Sequence, residues 1–274
     1  MDWQAAFDEA QRTKTANVVC MKWGKLYGAE WVNKLYGMVA RNTTWSIRFV
    51  CLTDDAAGIR PEVECLPFPP LELDPVIGRK HRGNEDPWWR KLCLYSESVH
   101  DLSGLTLYLD LDVVVAGNID ALFSHPGRFC MMRVWRSERF KEPLGNSSVV
   151  RIVLGAESYI VERFRSAPHS HWDEMYGGHD QRFVSASAKE ITFYPPDWCV
   201  SFKDTLPRNA VLRFFSRPKF PSQAKIVVFF GVNTPPAAIN GAIDPTKSPD
   251  PRRRQARFRR RFLPALWVEK LWAE

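Results

Sequence analysis

Two aspartates, Asp110 and Asp112, stand in the otherwise apolar run Leu-Thr-Leu-Tyr-Leu-Asp-Leu-Asp-Val-Val-Val of residues 105–115. A strand that is buried on both faces reads as such a run, and an ionised carboxylate is not buried there without a partner. We therefore expect the pair where the strand ends at a cleft. Carboxylates at positions i and i+2 of an extended backbone point the same way. Such a pair suits a hard cation, Mn²⁺ or Mg²⁺, that keeps coordination positions for phosphate oxygens.

The alternative interpretation is that the two carboxylates cap or pair at a buried strand end. The residues that follow favour a site instead, because Gly117-Asn118-Ile119-Asp120 reads as a turn into a short helix. In that turn Asp120 is expected to cap the helix rather than to act as a third ligand.

Strands and helices are expected to alternate around this segment. Strands are predicted at residues 17–21, 47–52, 63–66, 129–132, 146–150 and 224–230, and helices at 88–99 and 158–165. A further helix carries Tyr27, Trp31, Leu35 and Met38 on one face. This alternation predicts a doubly wound, mostly parallel sheet. Ligands of such sheets bind beyond the carboxyl ends of the strands, where residues 21–24, Asp54 and the aspartate pair would converge.

Length and composition indicate one sizeable α/β domain, because 274 residues with 45% hydrophobic side chains can bury a full core. No 18-residue apolar window is present, so we expect no transmembrane helix. Residues 1–4 lack the basic and apolar regions of a signal peptide. The six cysteines form no Cys-x-x-Cys pair, which predicts free thiols in a reducing cytoplasm.

The aspartate segment resembles the DxD element of nucleotide-sugar glycosyltransferases of the GT-A fold, and most closely those of family 8. That family includes glycogenin and bacterial lipopolysaccharide glycosyltransferases. The resemblance extends over most of the chain through four further elements. They are Trp89-Arg90-Lys91-Leu92-Cys93-Leu94, Asn146-Ser147-Ser148-Val149, Gly178-His179-Asp180-Gln181, and Phe229-Phe230-Gly231 followed by Pro235. It implies a Rossmann-like GT-A fold with a mostly parallel central sheet flanked by helices.

The resemblance also implies roles for individual residues. Asp110 and Asp112 would hold Mn²⁺ or Mg²⁺, with Asp110 also at the donor, and Lys91 would contact the donor phosphate or sugar. Tyr27 would stack on the uracil. Asn146 and Ser147 would bind the donor sugar, and Asp180 and Gln181 would do so as the catalytic residues. The alternatives are an exposed helix lysine for Lys91, core packing for Tyr27, and a helix N-cap for Asp180 with its neighbour Gln181.

One part of the family's pattern is missing. Its C-terminal element supplies a histidine as third metal ligand and a lysine for the diphosphate. Here Val228, Phe229 and Phe230 cover the histidine register, and Thr234 stands where the lysine would be. Phenylalanine cannot ligate a metal and threonine carries no charge. His125 and the histidines of residues 169–179 are conceivable substitutes, but their spacing supports neither a third ligand nor a zinc site.

The C-terminal region is strongly basic. Residues 252–261 hold Arg252, Arg253, Arg254, Arg257, Arg259, Arg260 and Arg261 and no acid. Because the whole chain carries +7, the remainder is neutral. We expect a GT-A-like domain over residues 1–232, a Pro-rich linker over 233–251, and a basic amphipathic appendage over 252–274. The appendage is expected to add little to the fold and to bind anionic lipid or lipopolysaccharide phosphates. A solvated charged run and a nucleic-acid surface are the alternatives.

The sequence thus predicts a hexosyltransferase that moves a hexose from a UDP-sugar to a lipopolysaccharide-core or other surface glycan, with retention of configuration. It would be cytoplasmic and peripheral at the inner face of the cytoplasmic membrane. The competing hypothesis is a glycosyltransferase-like binding protein with impaired catalysis, because the histidine and lysine are missing. Nucleic-acid binding is not expected, since the rest of the chain is neutral.

Overall fold

The computed structural model describes residues 2–71, 88–134, 144–168, 180–244 and 261–274. The loop predicted at 67–86 therefore lies mostly outside the described residues, and the His/Gly-rich loop at 169–179 does so entirely. The chain divides into two compact units. Unit 1 comprises residues 1–32, 44–110 and 120–194, and unit 2 comprises residues 33–43, 111–119 and 195–274.

Within the described part of the chain, ten strands lie in two sheets. They are β1 (Thr15–Lys22), β2 (Ser46–Thr53), β3 (Glu64–Leu66), β4 (Leu105–Leu109), β5 (Val113–Val115), β6 (Cys130–Arg133), β7 (Gly145–Val153), β8 (Thr192–Phe193), β9 (Cys199–Ser201) and β10 (Ile226–Val228). Unit 1 contains a seven-stranded sheet of order β3-β2-β1-β4-β7-β6-β8, and unit 2 a three-stranded sheet of order β5-β10-β9.

Eight α-helices and two 3₁₀ helices accompany these strands among the described residues. The α-helices are α1 (Trp3–Thr13), α2 (Ala29–Arg41), α3 (Asp120–Ser124), α4 (Tyr159–Ser166), α5 (Asp180–Ser187), α6 (Phe202–Thr205), α7 (Pro235–Ile239) and α8 (Leu266–Leu271), and the 3₁₀ helices are Trp88–Tyr95 and Leu212–Phe214. No helix of the described residues is both long enough and apolar enough to cross a bilayer.

The large sheet is mostly parallel, as the sequence predicted. β1 lies parallel to β2 and β4, β2 to β3, and β6 to β8, whereas β7 runs antiparallel to β4 and β6. Its central strands β1, β4 and β7 are buried along nearly their whole length because their side chains pack on both faces. The sheet therefore fixes the positions at which the polar residues after β1, β2 and β4 emerge.

Several elements differ from the sequence prediction. The helix expected at 88–99 is a 3₁₀ helix that ends at Tyr95. The expected linker contains α7, which Thr234 caps by accepting a hydrogen bond from the Ala237 backbone N–H. Asp120 begins α3, but its carboxylate accepts from the backbone N–H and hydroxyl of Thr44. The six thiols are free, as predicted.

The end of the chain belongs to the core of unit 2. Phe262, Ala265 and Val268 are buried, and the Trp267 ring lies 6.2 Å from the Phe202 ring. Arg41 donates to the Ala273 carbonyl oxygen at 2.7 Å. The expectation that the C-terminal segment adds little to the fold is therefore wrong for residues 261–274, because periodicity along a short helix does not show which face packs.

Candidate active site

Asp110 is the first residue after β4. Its backbone N–H donates to the Ser148 carbonyl oxygen at 3.0 Å, so its position is fixed by the neighbouring strand β7. Leu111 and Asp112 form a turn before β5. The prediction that the aspartates follow an extended strand is confirmed. The assumption of an extended backbone between them is wrong, because the chain turns there.

The carboxylate of Asp110 is held by two partners. Lys91 Nζ lies 2.5 Å from Asp110 Oδ1, and the Tyr108 hydroxyl donates to the same oxygen at 2.7 Å. Lys91 lies on the 3₁₀ helix with its ammonium 5.6 Å from the Tyr108 ring centroid. The side chains of Lys91 and Asp110 are 17% and 18% exposed. Lys91 is therefore an ion-paired lysine beside the aspartate, and the alternative of an exposed helix lysine is wrong.

Tyr108 and Tyr95 are protonated at ordinary pH. Burial raises the pKa of both phenols well above 10.0, and the negative charges of Asp110 and Asp180 raise them further. The neutral phenols therefore stabilise the folded state fully below the unfolded pKa of about 10, and this stability is lost as the pH rises above that value.

We expect the melting temperature to fall above pH 10, with the phenolate absorbance of these two tyrosines appearing only as the protein unfolds. Tyr108→Phe removes one linked proton, so the alkaline slope should become shallower by about 1.4 kcal/mol per pH unit. Denaturant titrations between pH 9 and pH 11 measure this slope, and the same slope in both proteins would contradict the assignment.

The ends of β1 and β2 meet next to this pair, as the sequence predicted. Gly24, with φ of 59°, donates its backbone N–H to Asp54 Oδ2 at 3.1 Å. Arg90 Nη1 lies 4.0 Å from the same carboxylate oxygen, and its guanidinium lies 5.3 Å from the Phe68 ring. Arg90, which precedes Lys91 in the sequence, thus places a second positive charge at the end of β2. Sequence reasoning missed Arg90 and Phe68, although the Arg-Lys dipeptide was a usable signal.

A second group of candidate residues lies on β7 and α5. Asn146 Nδ2 donates to Gln181 Oε1 at 3.3 Å, and Asn146 Oδ1 accepts from the Ser148 backbone N–H at 2.9 Å. Asn146, Ser147 and Asp180 are buried. Ser148 also holds Asp110, so β7 connects the amide pair to the end of β4. The structure thus brings Asn146 and Gln181 together and places the charge of Asp180 near Tyr95 and Tyr108.

Tyr27 precedes α2, and its ring packs 4.7 Å from the ring of Trp31, centroid to centroid. It is half-buried. Because one face of a half-buried tyrosine can pack while the other meets a ligand, this contact fits both the packing interpretation and the nucleobase one. Stacking of Tyr27 on a base stays a prediction.

Unit 2 holds Asp112 and the region where the family's third metal ligand would lie. The Phe229 backbone N–H donates to the Asp112 carbonyl oxygen at 3.1 Å. Val228 and Phe229 are buried, and Phe229 stacks on Phe202 with ring centroids 4.7 Å apart. Phe230 is half-buried. Two of the three positions are therefore committed to the core of this unit.

Asp110 itself fits an oxygen-ligated cation. An ionised carboxylate offers about four lone-pair sites, so two donors on Oδ1 do not saturate it. Among the described residues, no group of three or more His, Cys, Asp and Glu side chains is arranged to hold a metal. His125 does not supply the third ligand, because its Nε2 contacts the Phe193 carbonyl oxygen at 3.3 Å and its ring packs on Tyr194. Burial also lowers its pKa.

Only Arg261 of the basic run is described. It is exposed, and its backbone N–H donates to the Gly241 carbonyl oxygen at 2.9 Å. The other six arginines, Arg252, Arg253, Arg254, Arg257, Arg259 and Arg260, lie outside the described residues, so membrane binding by this run stays a prediction.

Comparison with known proteins identifies the fold. No family model and no curated protein sequence matches the chain. The galactosyltransferase LgtC, solved with donor and acceptor sugar analogues, superposes with a TM-score of 0.58 at 14% identity, covering 94% of this chain and 97% of that one. The apo glycosyltransferase GlyE of Streptococcus pneumoniae TIGR4 superposes with a TM-score of 0.53 at 13% identity, covering 81% and 56%. The chain therefore has the GT-A fold of these glycosyltransferases.

Proposed function

We propose that the protein transfers a hexose from a UDP-sugar to a lipopolysaccharide-core or other cell-surface glycan, with retention of anomeric configuration. The observation that carries this proposal is the Lys91–Asp110–Tyr108 group at the end of β4 in a GT-A fold. The family 8 resemblance of the surrounding motifs supports the hexose, the acceptor class and retention of configuration. No residue of the chain is assigned as a covalent nucleophile.

The chain's own residues would bind and orient the donor. Lys91 and Arg90 place two positive charges beside Asp110 and Asp54, where they would contact the diphosphate. Asn146 and Gln181 are held against each other and would orient the hydroxyls of the donor sugar. Holding the donor in one orientation is itself a large part of catalysis. Asp180 and Gln181 are the residues proposed to lie at the transferred sugar.

A divalent cation, Mn²⁺ or Mg²⁺, would be held by Asp110 and Asp112. When bound, it would supply Lewis-acid stabilisation of the leaving diphosphate. Lys91 already contacts Asp110 Oδ1, so its ammonium and the cation would share one carboxylate. We propose that Lys91 Nζ exchanges its contact with Asp110 for a contact with the phosphate oxygens when donor and cation bind together.

The protein is proposed to act at the inner face of the cytoplasmic membrane, without nucleic-acid partners. The charge pattern supports this, since the net positive charge lies in the run of seven arginines at 252–261 and the remainder of the chain is neutral. Clustered arginines favour anionic lipid surfaces and anionic acceptors.

A second candidate function is a nucleotide-sugar-binding protein with little transferase activity. Two observations favour this function. Val228 and Phe229 are buried at positions where the family's histidine would lie, and Thr234 stands at the position of the family's lysine. Turnover of a bound donor separates the two functions, because the binding protein would be stabilised by UDP-sugars without consuming them.

We expect UDP and UDP-sugars to raise the melting temperature more with Mn²⁺ than without it. Asp112→Ala should abolish this difference, because one carboxylate is too few protein ligands to hold the ion. A thermal-shift screen of nucleotide sugars with and without Mn²⁺ measures the effect. Asp197→Ala, at an exposed carboxylate of unit 2, is the matched control, and an undiminished Mn²⁺ effect in Asp112→Ala would contradict the metal assignment.

A further inference from the structure

Unit 2 exposes an apolar surface that carries none of the residues assigned above to donor or metal binding. Five of the seven large apolar side chains exposed among the described residues lie within residues 211–220, and they are Val211, Leu212, Phe214, Phe215 and Phe220. Phe215 is 78% exposed. Exposed apolar residues scattered singly are normal, whereas several exposed together within ten positions are typical of an interaction site. We call these five residues the Phe215 surface.

The Phe215 surface is held in place by the backbone beneath it. Within it, the 3₁₀ helix Leu212–Phe214 is closed by the Phe215 N–H, which donates to the Leu212 carbonyl oxygen. The Leu263 N–H donates to the Arg213 carbonyl oxygen at 2.8 Å, and Arg213 Nε donates to the Pro207 carbonyl oxygen at 2.9 Å. The exposed rings are therefore presented by an anchored turn.

The C-terminal segment extends the same surface. Trp267 Nε1 donates to the Pro218 carbonyl oxygen at 3.2 Å, and the Trp267 ring lies 5.7 Å from that of Phe220. Leu266, beside Trp267, is 52% exposed. Arg217 Nη1 donates to the Pro264 carbonyl oxygen at 3.2 Å. Aromatic, aliphatic and guanidinium groups are thus combined in one anchored region.

The stretch that carries the Phe215 surface is basic. Arg208, Arg213, Arg217 and Lys219 lie within residues 205–220, which contain no acidic residue. Arg208, Arg217 and Lys219 are exposed. A second copy of the chain in a two-fold dimer would set these cations against themselves, since such an interface is self-complementary. The occupant is therefore anionic.

We propose that the Phe215 surface docks the protein on an anionic phospholipid bilayer. The aliphatic Val211 and Leu212 match hydrocarbon better than they match stacked bases. Phenylalanine rings next to basic side chains are typical of segments that lie at the lipid interface, and each cation near an anionic leaflet adds to the attraction. The inference refines the membrane association in the proposed function by naming its contact residues, and its test does not require transfer.

The test is co-sedimentation of the full chain with phosphatidylglycerol vesicles and with phosphatidylcholine vesicles. We expect binding to phosphatidylglycerol that weakens with salt, and Phe214→Ser/Phe215→Ser should weaken it by about tenfold or more, since each ring buries its apolar area in lipid. Arg208→Glu/Lys219→Glu should weaken binding to phosphatidylglycerol without changing the weak binding to phosphatidylcholine. Leu26→Ser, at an apolar side chain of unit 1 that is 62% exposed, is the matched control and should bind normally.

Three outcomes would overturn the proposal. The first is full vesicle binding by Phe214→Ser/Phe215→Ser, and the second is no vesicle binding by the unchanged protein. The third is that single-stranded RNA competes with vesicles for the protein, and that Phe214→Ser/Phe215→Ser abolishes this competition while vesicle binding persists. The melting temperature of each variant reports folding, and it should be unchanged because both phenylalanines are exposed. Replacing Arg252, Arg253 and Arg254 with glutamine tests the basic run separately. UDP-sugar stabilisation measured on the same samples distinguishes a failed docking surface from a failed transferase.

Discussion

Sugar transfer should fall by about a hundredfold when Lys91 is replaced with methionine, because removing one preorganised charge from the site of developing negative charge typically has an effect of that size. The same substitution should strengthen Mn²⁺ binding in the absence of nucleotide. Lys91 Nζ lies 2.5 Å from Asp110 Oδ1, so its positive charge competes with the cation for the carboxylate. Transfer assays and calorimetric titration with Mn²⁺ measure the two effects, which have opposite signs.

A lysine with a purely structural role would not produce this pair of effects. Lys91→Arg keeps the charge and should retain more transfer than Lys91→Met, although the planar guanidinium changes the contact with Asp110. Lys189→Met provides a matched control, because Lys189 also lies over a tyrosine ring, that of Tyr159, at 4.6 Å. If Lys91→Met transferred sugar at a normal rate, the Lys91–Asp110 pair would be a packing feature only.

The second large effect concerns stability. Phe262→Ala should destabilise the protein by about 3–5 kcal/mol, the usual cost of truncating a fully buried phenylalanine. Phe262 is 2% exposed, and its ring lies 5.6 Å from that of Phe202, which in turn stacks on Phe229. Denaturant unfolding measures the change in free energy. The substitution should also lower the melting temperature markedly.

Leu266→Ala is the control for this prediction, because it truncates an apolar side chain of the same C-terminal segment that is half exposed. Its effect should stay within about 0.5 kcal/mol, as is usual for surface positions. Equal effects of the two substitutions would show that the segment does not pack as described. A small effect of Phe262→Ala would restore the hypothesis of an independent appendage.

The parts of the fold that were predictable from sequence are those fixed by local pattern. β1, β2 and β4 are rich in apolar residues, and a strand buried on both faces typically reads as a nearly continuous apolar run. The position of Asp110 followed from the same logic, because a carboxylate ends such a run. The convergence of Asp54 with the end of β1 followed from parallel topology alone.

The remaining features depend on contacts between residues far apart in sequence. The pairing of Lys91 with Asp110 joins residues 19 positions apart, and only the fold makes them neighbours. The strand predicted at 224–230 contains β10, but the second sheet escaped prediction because its other strands, β5 and β9, have three residues each, too few to show a period. The packing of α8 was missed because its face is chosen by Phe202 and Phe220, which lie in a stretch that reads as irregular. Asp180 and Gln181 came from the family resemblance, and their chemistry remains a proposal.

The cap at Thr234 restricts the routes by which this chain can change. Its hydroxyl accepts from the Ala237 N–H at 3.3 Å, its side chain is buried, and Pro235 follows at the start of α7. A lysine at this position would forfeit the cap, worth about 1 kcal/mol, and would bring an ammonium into a buried site. A positive charge there is therefore not reachable by one substitution without loss of stability. It requires a second change that re-forms the start of the helix, so the two positions would have to evolve together.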